Sequence, residues 1–529
     1  MSTGASSDAN EAFFKYTSGR WLYGEKRRLQ ERYLEFDVSA LKRIAAEAVD
    51  RETCVRMEKI AEGGYNRIFC LTMEDGFEVI ARFPYPSTVP AFYATASEIA
   101  TLRFLQTIDI PVPHVYAWKS TTSPETNPVG AEFIIMEKLQ GEELTKSWPT
   151  MTSLQRLEIA QHIVEIERKV FSYAFPRFGS LYLKDDVPGT PSDEVFDGFV
   201  VGPTVDQSAW HDERTSMELD RGPWKTAESY LKAIAHIGIE SAKHHGQPRY
   251  PNLRFTETPP VYPQEHINLL RKYEKVIPSI LRQEASRCLP KLRHPDLHPR
   301  NILIKPGSTE IVGIIDWQHA YIAPFFLLAG ICPMFRRADG AVPTSFKIPT
   351  LPDNYSQLSA DEKEDADELY RQQMTLLAYL FFTHRDVREH WDAFNSLHSF
   401  TRQNVVEQAA APCLGDVSAL RAALITIVDD WKEIAPGDGP CPIEFSDEER
   451  ELHAKRALET EGLSQFVSTL SAIMGIGRDG WVTHEGFDDA VKEHERLKEL
   501  WRASAEESET EEVKNEALQW WPFRDAKET

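Results

Sequence analysis

The 529-residue sequence is short of cysteine, and the few that it has form no pattern that chemistry uses. Six cysteines lie far apart, without a CxxC pair and without the paired Cys/His spacing that zinc needs. We therefore expect reduced thiols in an intracellular protein. A long hydrophobic run is also missing. The longest, 321–335, contains Pro324 and Pro333 and falls short of the roughly 18 residues of a membrane helix, so we predict buried core and no membrane span.

Positive charge is scarce as well. The sequence has 59 Lys and Arg residues against 82 Asp and Glu residues, which gives a net charge of -23. Such acidity repels the phosphates of nucleic acids and of anionic lipids, and no basic patch offsets it, so we expect no nucleic-acid partner. A solvated acidic surface is the favoured interpretation, and attraction of a cationic substrate is the alternative.

The first residues lack the apolar segment of a secretory signal. Asp8 and Glu11 precede any basic residue, which argues against an Arg-rich mitochondrial presequence. We therefore predict a cytoplasmic location, with the mitochondrion as the alternative.

The overall composition is that of a soluble globular protein, with 42% hydrophobic, 27% charged and 11% aromatic residues. A chain of this length is expected to form two or three compact units. We predict a helical extension over 1–54, a sheet-containing lobe over 55–140, a largely helical lobe over 141–435 and a helical extension with an acidic tail over 436–529. Residues 185–225 are rich in Asp, Gly and Pro, and they form either an ordered excursion or a flexible insertion.

The first lobe begins with strand-like runs. Asp75-Gly76 lies between the apolar runs 68–73 and 77–83, and this dipeptide predicts a hairpin turn. A helical stretch is predicted over about 90–106. Two extended segments follow it, around 114–119 and 132–138. Strands, one helix and further strands indicate a compact α+β unit.

One later segment combines two carboxylates and an amide with two short apolar runs. It reads HPDLHPRNILI from His294, followed by a turn and then by IVGIIDW, which ends at Trp317. Asp296, Asn301 and Asp316 supply the carboxylate that an attacking hydroxyl requires and the hard oxygen donors that Mg²⁺ prefers. A polar turn would explain the Asp and Asn alone, but two flanking strands of Ile, Leu and Val favour catalysis.

The segments HPDLHPRNILI and IIDW resemble the catalytic and metal-binding segments of the aminoglycoside phosphotransferase and choline kinase-like superfamily. The resemblance covers about residues 55–330 and is weaker to about 435. It implies a bilobal, protein kinase-like α+β fold, with a small antiparallel-sheet N-lobe, a large mainly helical C-lobe and helical terminal extensions. It also implies Asp296 as the catalytic base and Asn301 and Asp316 as ligands of Mg²⁺. We expect His294 to order the loop rather than to transfer protons.

Four shorter motifs resemble a fungal branch of that family, related to altered inheritance of mitochondria protein 9. They are SGRWL near residue 18, FPYPSTVP near 83, VGPTV at 201–205 and GPW at 222–224. The branch implies a mitochondrial link in some members.

Two backbone segments resemble the parts of a kinase that hold a nucleotide. Gly63, Gly64 and Asn66 lie between strand-like runs, where glycines let the backbone approach a phosphate; a plain hairpin would explain them equally well. The second segment resembles the inter-lobe hinge, whose backbone groups would bond adenine, although a simple edge strand is the alternative. Its residues are Met136, Glu137, Lys138 and Leu139.

Arg82 and Glu98 are the predicted charged pair of the nucleotide site. Strand alternation puts Arg82 opposite an apolar face, and the resemblance gives it the position of the family's phosphate-binding lysine. A guanidinium is a planar fork, whereas the usual lysine is a point charge. Glu98 lies on an otherwise apolar helix face, so we predict an ion pair with Arg82 rather than a surface glutamate. The apolar face of the strand consists of Phe77, Val79, Ala81 and Phe83.

Together these features predict an ATP-dependent phosphotransferase that moves the γ-phosphoryl group to a hydroxyl of an unidentified small molecule, with ATP and Mg²⁺ as cofactors. The alternative is a catalytically weak pseudokinase that binds nucleotide or a protein partner. Arg82 and the imperfect glycine loop favour the alternative, whereas retention of all three metal and base residues favours catalysis. A protein kinase is less favoured, because Trp317 follows Asp316 where such enzymes have Phe-Gly.

Overall fold

The N-terminal extension is helical, as the sequence predicts. It forms α1 (Ala5–Phe14), β1 (Arg20–Trp21), α2 (Glu25–Arg32) and α3 (Val38–Ala48). Helix α3 begins where the Asp37 carboxylate accepts a hydrogen bond from the Ala40 amide at 2.8 Å. The computed structural model describes residues 5–187, 194–196, 198–248, 260–282, 285–337, 340, 342–343, 346–413, 416–506 and 521–523.

The small lobe is an antiparallel sheet of five strands with one long helix. Its elements are β2 (Cys54–Glu62), β3 (Asn66–Met73), β4 (Glu78–Pro84), α4 (Tyr93–Thr107), β5 (Val115–Lys119) and β6 (Phe133–Glu137). The strand order is β2-β3-β4-β6-β5, and all neighbours are antiparallel. The predicted turn at Asp75-Gly76 joins β3 to β4, and Gly76 has a φ of 85°, which glycine tolerates best.

Two local predictions for this lobe differ from the structure, at the start of α4 and at the start of β4. The helix predicted from residue 90 begins at Tyr93, after the Phe92 amide donates to the Glu132 carboxylate at 2.9 Å, so a distant residue caps its first turn. Phe77 is wrong as a member of the apolar strand face, because β4 begins at Glu78 and Phe77 lies in the turn, 36% exposed. The buried face consists of Val79, Ala81 and Phe83.

The large lobe is mainly helical, with small sheets that carry its loops. Its first part contains β7 (Glu142–Glu143), α5 (Leu144–Ser147), α6 (Ser153–Phe171), β8 (Ser180–Leu183), β9 (Glu194–Phe196), β10 (Phe199–Gly202), α7 (Ala227–His245) and α8 (Pro263–Ile280). The middle contains β11 (Pro290–Leu292), β12 (Ile302–Ile304), β13 (Ile311–Ile314), β14 (Ile322–Pro324) and α9 (Phe325–Leu328). The last part contains α10 (Ala360–Asp386), α11 (Arg388–Phe394), α12 (Ser399–Ala410), α13 (Ser418–Asp429) and α14 (Trp431–Ile434).

Two apolar cores hold the large lobe together. The first joins α4 of the small lobe to α6, α10 and the strands β11 to β13. The second lies among α7, α8, α12 and α13. Strands β12 and β13 pair with each other, and β7 pairs with β12, so the central hairpin is anchored to the segment that leaves the small lobe. The hairpin is thereby held beside the junction of the two lobes.

Residues 185–225 follow an ordered path wherever the structure describes them. Strand β10 pairs with both β8 and β9, and two short 3-10 helices follow at Gln207–Ala209 and Asp212–Ser216. The Arg221 side chain is buried and lies over the Trp210 ring at 3.8 Å. These residues fit the ordered excursion, while 188–193 and 197 lie outside the described residues.

The C-terminal extension returns to the start of the chain. It forms α15 (Asp447–Met474), β15 (Trp481–Val482) and α16 (Phe487–Glu506), and β15 pairs antiparallel with β1. Helix α15 ends at Gly475, whose φ of 67° is that of a left-handed cap. The predicted acidic tail lies mostly outside the described residues, although Trp521 and Phe523 are buried against α16.

The predicted bilobal α+β fold with helical terminal extensions is confirmed. The predicted limits at residues 54, 140 and 435 stay predictions. All six cysteines are free thiols, as expected. Among the helices that the structure describes, none combines the length and apolar character needed to cross a bilayer.

Candidate active site

The β12–β13 hairpin brings the two predicted metal ligands side by side. Asn301 lies at the start of β12, and Asp316 follows β13 after one residue. Because Ile302 pairs with Ile314 and the Ile315 amide donates to the Asn301 carbonyl at 3.0 Å, the start of one strand adjoins the end of the other. The pairing explains why residues fifteen positions apart in this antiparallel register share one site.

His294 ties the loop that carries Asp296 to that hairpin. Its Nε2–H donates to the Ile315 carbonyl at 3.0 Å, while its Nδ1 accepts from the Asp296 amide at 3.1 Å. The ring is 7% exposed and contacts Trp317 edge-on at 4.6 Å between centroids. Burial lowers the pKa of His294 to about 4, so the imidazole is neutral at pH 7. These contacts order the loop, which is the role that the sequence predicts.

Asp296 presents its carboxylate to solvent beside the hairpin. The side chain is 66% exposed, and its Oδ2 lies 3.3 Å from His298 Nε2. The Asn301 Nδ2–H donates to the Asp296 carbonyl at 2.9 Å, which leaves the Asn301 Oδ1 as the amide atom for a ligand. The backbone of Asp296 is therefore held from two sides, by His294 and by Asn301, while its carboxylate stays accessible.

Arg82 is the centre of a charged cluster on the sheet wall, in which Arg82 and Glu98 are buried and Asp316 is half exposed. Its Nη1 is hydrogen bonded to the Glu98 carboxylate, so the predicted ion pair is present. Its Nη2 donates to Asp316 Oδ1 at 2.6 Å and to Gln318 Oε1 at 3.1 Å. One planar guanidinium thus bridges two carboxylates, a geometry that a lysine ammonium does not reproduce. The sequence did not predict the contact with Asp316.

The two carboxylates respond differently to this shared cation. Burial raises the pKa of Glu98 to about 7, against the opposing attraction of Arg82. For Asp316, the attraction and hydrogen bond of Arg82 outweigh the effect of burial and lower the pKa. Glu98 Oε2 has no hydrogen-bond partner among the described residues. Asp316 is therefore the firmly ionised member of the cluster.

Backbone strain and a second amide mark the same corner. Asp316 and His319 have φ values of 65° and 63°, in the left-handed region that non-glycine residues rarely adopt. The turn directs Gln318 back toward the sheet, where its side-chain amide lies 2.8 Å from the side-chain amide of Asn66. Sequence reasoning missed Gln318. Its only local signal is its position two residues after Asp316.

The glycine loop joins β2 to β3 above this cluster. The Gly63 amide donates to the Asn66 carbonyl at 2.8 Å and closes the turn. Among the described residues, a Cβ atom at Gly64 would meet nothing within 4 Å, and one at Gly63 would meet only the Asn66 carbonyl oxygen at 3.8 Å. Neither residue is among those with positive φ. Packing and backbone conformation therefore do not require glycine at these two positions.

A single cleft of about 520 Å³ unites the predicted nucleotide and metal residues. It lies between the glycine loop, the hinge segment and the β12–β13 hairpin. The predicted residues that line it are Gly63, Gly64, Asn66, Arg82, Glu98, Met136, Glu137, Lys138, Leu139, Asn301 and Asp316. Asp296 is not among the lining residues and lies outside this cavity. Sequence reasoning missed several other lining residues, including Ile68, Ile80, Pro113, Glu143, Arg300 and Leu303.

A glutamine from the ordered excursion reaches the open end of the glycine loop. Gln207 Oε1 accepts from the Tyr65 hydroxyl at 3.3 Å, and its Nε2 lies 3.2 Å from His319 Nδ1. The Tyr65 and His319 rings also meet edge-on at 5.5 Å between centroids. The excursion therefore touches both the loop above the cleft and the turn after Asp316, a contact that the sequence did not predict.

Comparison with known proteins relates the chain to one enzyme family. Residues 56–343 match the model of the phosphotransferase enzyme family. A subtelomeric hrmA-associated cluster protein of Aspergillus fumigatus is 34% identical in an alignment of 513 residues that covers 90% of this chain and 98% of that protein. The mitochondrial protein named altered inheritance of mitochondria protein 9 of Yarrowia lipolytica is 26% identical over 84% of this chain and 81% of its own length.

Among solved structures, a ternary complex of the phosphotransferase APH(2″)-IIa with streptomycin and ATP aligns with 76% of this chain and 99% of its own. The sequence identity is 11% and the TM-score is 0.33.

Proposed function

The chain belongs to the phosphotransferase enzyme family, and from that premise we propose that it moves the terminal phosphoryl group of ATP to a hydroxyl of a small molecule. The observation that carries the proposal is the convergence of Arg82, Asn301 and Asp316 on one cleft with Asp296 held beside it. Phosphoryl transfer depends mainly on positioning and on charge stabilisation, and these side chains supply both.

Asp296 is the proposed catalytic base. Its exposed carboxylate accepts the proton of the acceptor hydroxyl as that oxygen bonds to the γ-phosphorus and the bond from the γ-phosphorus to the bridging oxygen of ADP breaks. The products are a phosphomonoester and ADP. His294 is neutral and committed to two hydrogen bonds, so its proposed role is to hold the Asp296 backbone.

The residues present fit a magnesium ion. Asn301 offers its amide oxygen because its Nδ2 is engaged, and Asp316 offers an ionised carboxylate. Beside nucleotide phosphates, Mg²⁺ is bound by a small number of hard oxygen donors from the protein. When bound, it neutralises part of the phosphate charge. We assign Asn301 and Asp316 as its proposed ligands.

The nucleotide would lie between the glycine loop and the hinge segment. At Gly64 the backbone is open to the approach of phosphate oxygens, whereas the Gly63 amide already donates to the Asn66 carbonyl, and no packing demand from the described residues explains either glycine. At the hinge, the Glu137 amide already donates to the His114 carbonyl at 2.8 Å. An adenine would therefore bond the later backbone groups, at Lys138 and Leu139.

The contact between Arg82 and Asp316 favours one competing proposal, a nucleotide-binding pseudokinase. An ion pair at 2.6 Å engages a proposed metal ligand, and Mg²⁺ has to compete with the guanidinium for that carboxylate. Such a protein would bind nucleotide or a protein partner and turn ATP over slowly. The two proposals differ in turnover, not in binding.

The deciding experiment measures binding and turnover separately. We expect Mg-ATP to bind the wild type and Asp296→Ala with similar affinity in calorimetry. Phosphoryl transfer by Asp296→Ala should fall by about 10²- to 10⁴-fold, the usual contribution of a general base. Asp353→Ala, which removes an exposed carboxylate elsewhere, is the matched control. Equal turnover by the wild type and Asp296→Ala would exclude the proposed chemistry.

The acceptor is best sought by phosphorylation of a metabolite mixture with Mg-ATP, because the site defines the donor better than the acceptor. Cationic alcohols are the first class to test, given the net charge of -23. The cytoplasmic location and the absence of a nucleic-acid partner stay predictions. Organelle fractionation tests the first of these against the mitochondrial alternative.

A further inference from the structure

The glycine loop is flanked by two buried charged residues that no catalytic step uses. Glu62 ends β2 and Arg67 lies opposite it in β3, so the pair closes the base of the loop. Their side chains are 1% and 0% exposed, and Arg67 Nε lies 2.8 Å from Glu62 Oε1. Burying a charge lowers the stability of the fold unless its polar atoms are hydrogen bonded or paired with an opposite charge. The identity of those partners is therefore informative.

Arg67 takes its other partners from the N-terminal extension. Its Nη1 donates to the carbonyls of Phe13 and Phe14, both at 2.8 Å, and its Nη2 donates to the Arg32 carbonyl at 3.1 Å. These carbonyls end α1 and α2, where a helix leaves acceptors unsatisfied and carries partial negative charge. Lys59 does the same at the end of α1, donating to the carbonyls of Ala12 and Lys15 at 2.9 Å each.

Glu62 is bonded to the next turn of the same extension. Its Oε2 accepts from the Thr17 amide at 2.7 Å, from the Thr17 hydroxyl at 3.2 Å and from the Ser18 hydroxyl at 2.9 Å. The Thr17 carbonyl in turn accepts from His484 Nε2 at 3.0 Å. Thr17 thus connects Glu62, at the base of the glycine loop, with His484 of the C-terminal extension.

The two extensions are joined to each other just beyond Thr17. Strand β1 pairs with β15, and Trp21 Nε1 donates to Asp479 Oδ2 at 3.0 Å. Trp481 Nε1 donates to the Tyr16 hydroxyl at 2.9 Å. We call residues 12–23 together with 478–484 the terminal brace. The brace contacts the small lobe at the base of the nucleotide-covering loop.

We propose that the terminal brace positions the glycine loop for nucleotide, with Glu62 and Arg67 as positioning residues and Thr17 as the link to the C-terminal extension. The inference deepens the proposed function and rests on it for the identity of the ligand. The physical reason is entropic. A loop whose two ends are held to a rigid support loses less freedom when it closes on phosphates, so binding is tighter.

Gly19→Val is the substitution that opens the brace without touching the loop. A Cβ atom at Gly19 would lie 2.6 Å from Trp481 Nε1 and 2.7 Å from the Val482 carbonyl oxygen, so β1 and β15 must separate. His484→Ala is the milder variant, because His484 is exposed and its substitution removes a single hydrogen bond, the one to the Thr17 carbonyl, among the described residues. Gly462→Ala and Lys492→Ala are controls in α15 and α16. Gly462 has open space around it, and the Lys492 side chain is 77% exposed.

Hydrogen exchange on the full-length apo protein is the first readout. We expect amides of residues 60–68 to exchange about tenfold faster in Gly19→Val and about threefold faster in His484→Ala, with the large lobe unchanged. The same variants should raise KM for ATP by about threefold or more and leave kcat within about twofold. The two controls should match the wild type in both measurements.

The proposal is overturned if exchange accelerates at 478–484 but stays at the wild-type rate over 60–68 in both variants. It is equally overturned if the acceleration in Gly19→Val spreads evenly over the chain, since that is general destabilisation. Failure of the wild type to bind Mg-ATP would reject the proposed function instead. The exchange of residues 60–68 would still report whether the brace holds the loop.

Discussion

The sheet wall of the cleft buries the charged pair Arg82 and Glu98, whereas the loop that carries Asp296 leaves its carboxylate in solvent. Arg82 and Glu98 have side chains 7% and 2% exposed, and they bond to each other. The Asp296 side chain is 66% exposed. Among the described residues, its only ion-pair contact is the one between its Oδ2 and His298 Nε2, at 3.3 Å. A buried charge needs a partner, because an unpaired charge in the interior is costly in free energy. An exposed carboxylate, such as that of the proposed base, stays accessible to a substrate.

Removing Arg82 should produce the largest loss of stability. Arg82→Met leaves Glu98 buried without its cation, and breaking such a pair typically costs about 3–5 kcal/mol. We expect this loss at pH 8 in urea unfolding. The double variant Arg82→Met/Glu98→Leu should recover most of it, because neither charge then remains buried, yet it should not recover Mg-ATP binding. A loss below about 1 kcal/mol in the single variant would contradict the burial argument.

The pH dependence of stability should expose Glu98 next. Burial raises its pKa to about 7, above the usual value of 4.5, so the folded state holds a proton that the unfolded state releases between these two pH values. Stability therefore falls as pH rises from about 4.5 to about 7. The fall should be on the order of 3 kcal/mol. Glu98→Gln should flatten this part of the curve, and an unchanged slope would assign the titration to other groups.

His294 should give an intermediate effect, because it is buried but not part of an ion pair. His294→Ala removes two hydrogen bonds and leaves the Ile315 carbonyl and the Asp296 amide without partners, for a loss of about 1–3 kcal/mol. Turnover should also fall, since the loop that carries Asp296 loses its tie to the hairpin. Chemical unfolding and initial rates measure the two effects. Full activity in a destabilised His294→Ala would show that the loop needs no such tie.

What the sequence could predict is local. The family resemblance is confirmed, the β3–β4 hairpin is confirmed, and the opposition of Arg82 to its buried neighbours followed from strand alternation. Glu98 was found because a carboxylate on an apolar helix face demands a partner. Each of these rests on a period of two or 3.6 residues, or on a turn dipeptide.

What the sequence could not predict depends on distant contacts. Arg82 meets Asp316 across 234 positions, Gln207 meets Tyr65 across 142, and Trp21 meets Asp479 across 458. Periodicity tells which face of an element is buried, but it does not tell which other element covers that face. The sequence does not predict the terminal brace for the same reason. Strands β1 and β15 have two residues each, which are too few to show the period of a strand.

Asp296 should give the smallest change in stability and the largest change in turnover. Its carboxylate is mostly solvated, so Asp296→Asn should alter the free energy of unfolding by no more than about 0.5 kcal/mol. The same variant cannot accept a proton, and its rate should fall by about 10²- to 10⁴-fold. Urea unfolding and single-turnover transfer from Mg-ATP measure the two quantities on the same preparation. A residue that supports the fold would show the reverse order, so loss of stability with near-normal turnover would assign Asp296 to structure and leave the proposed reaction without a base.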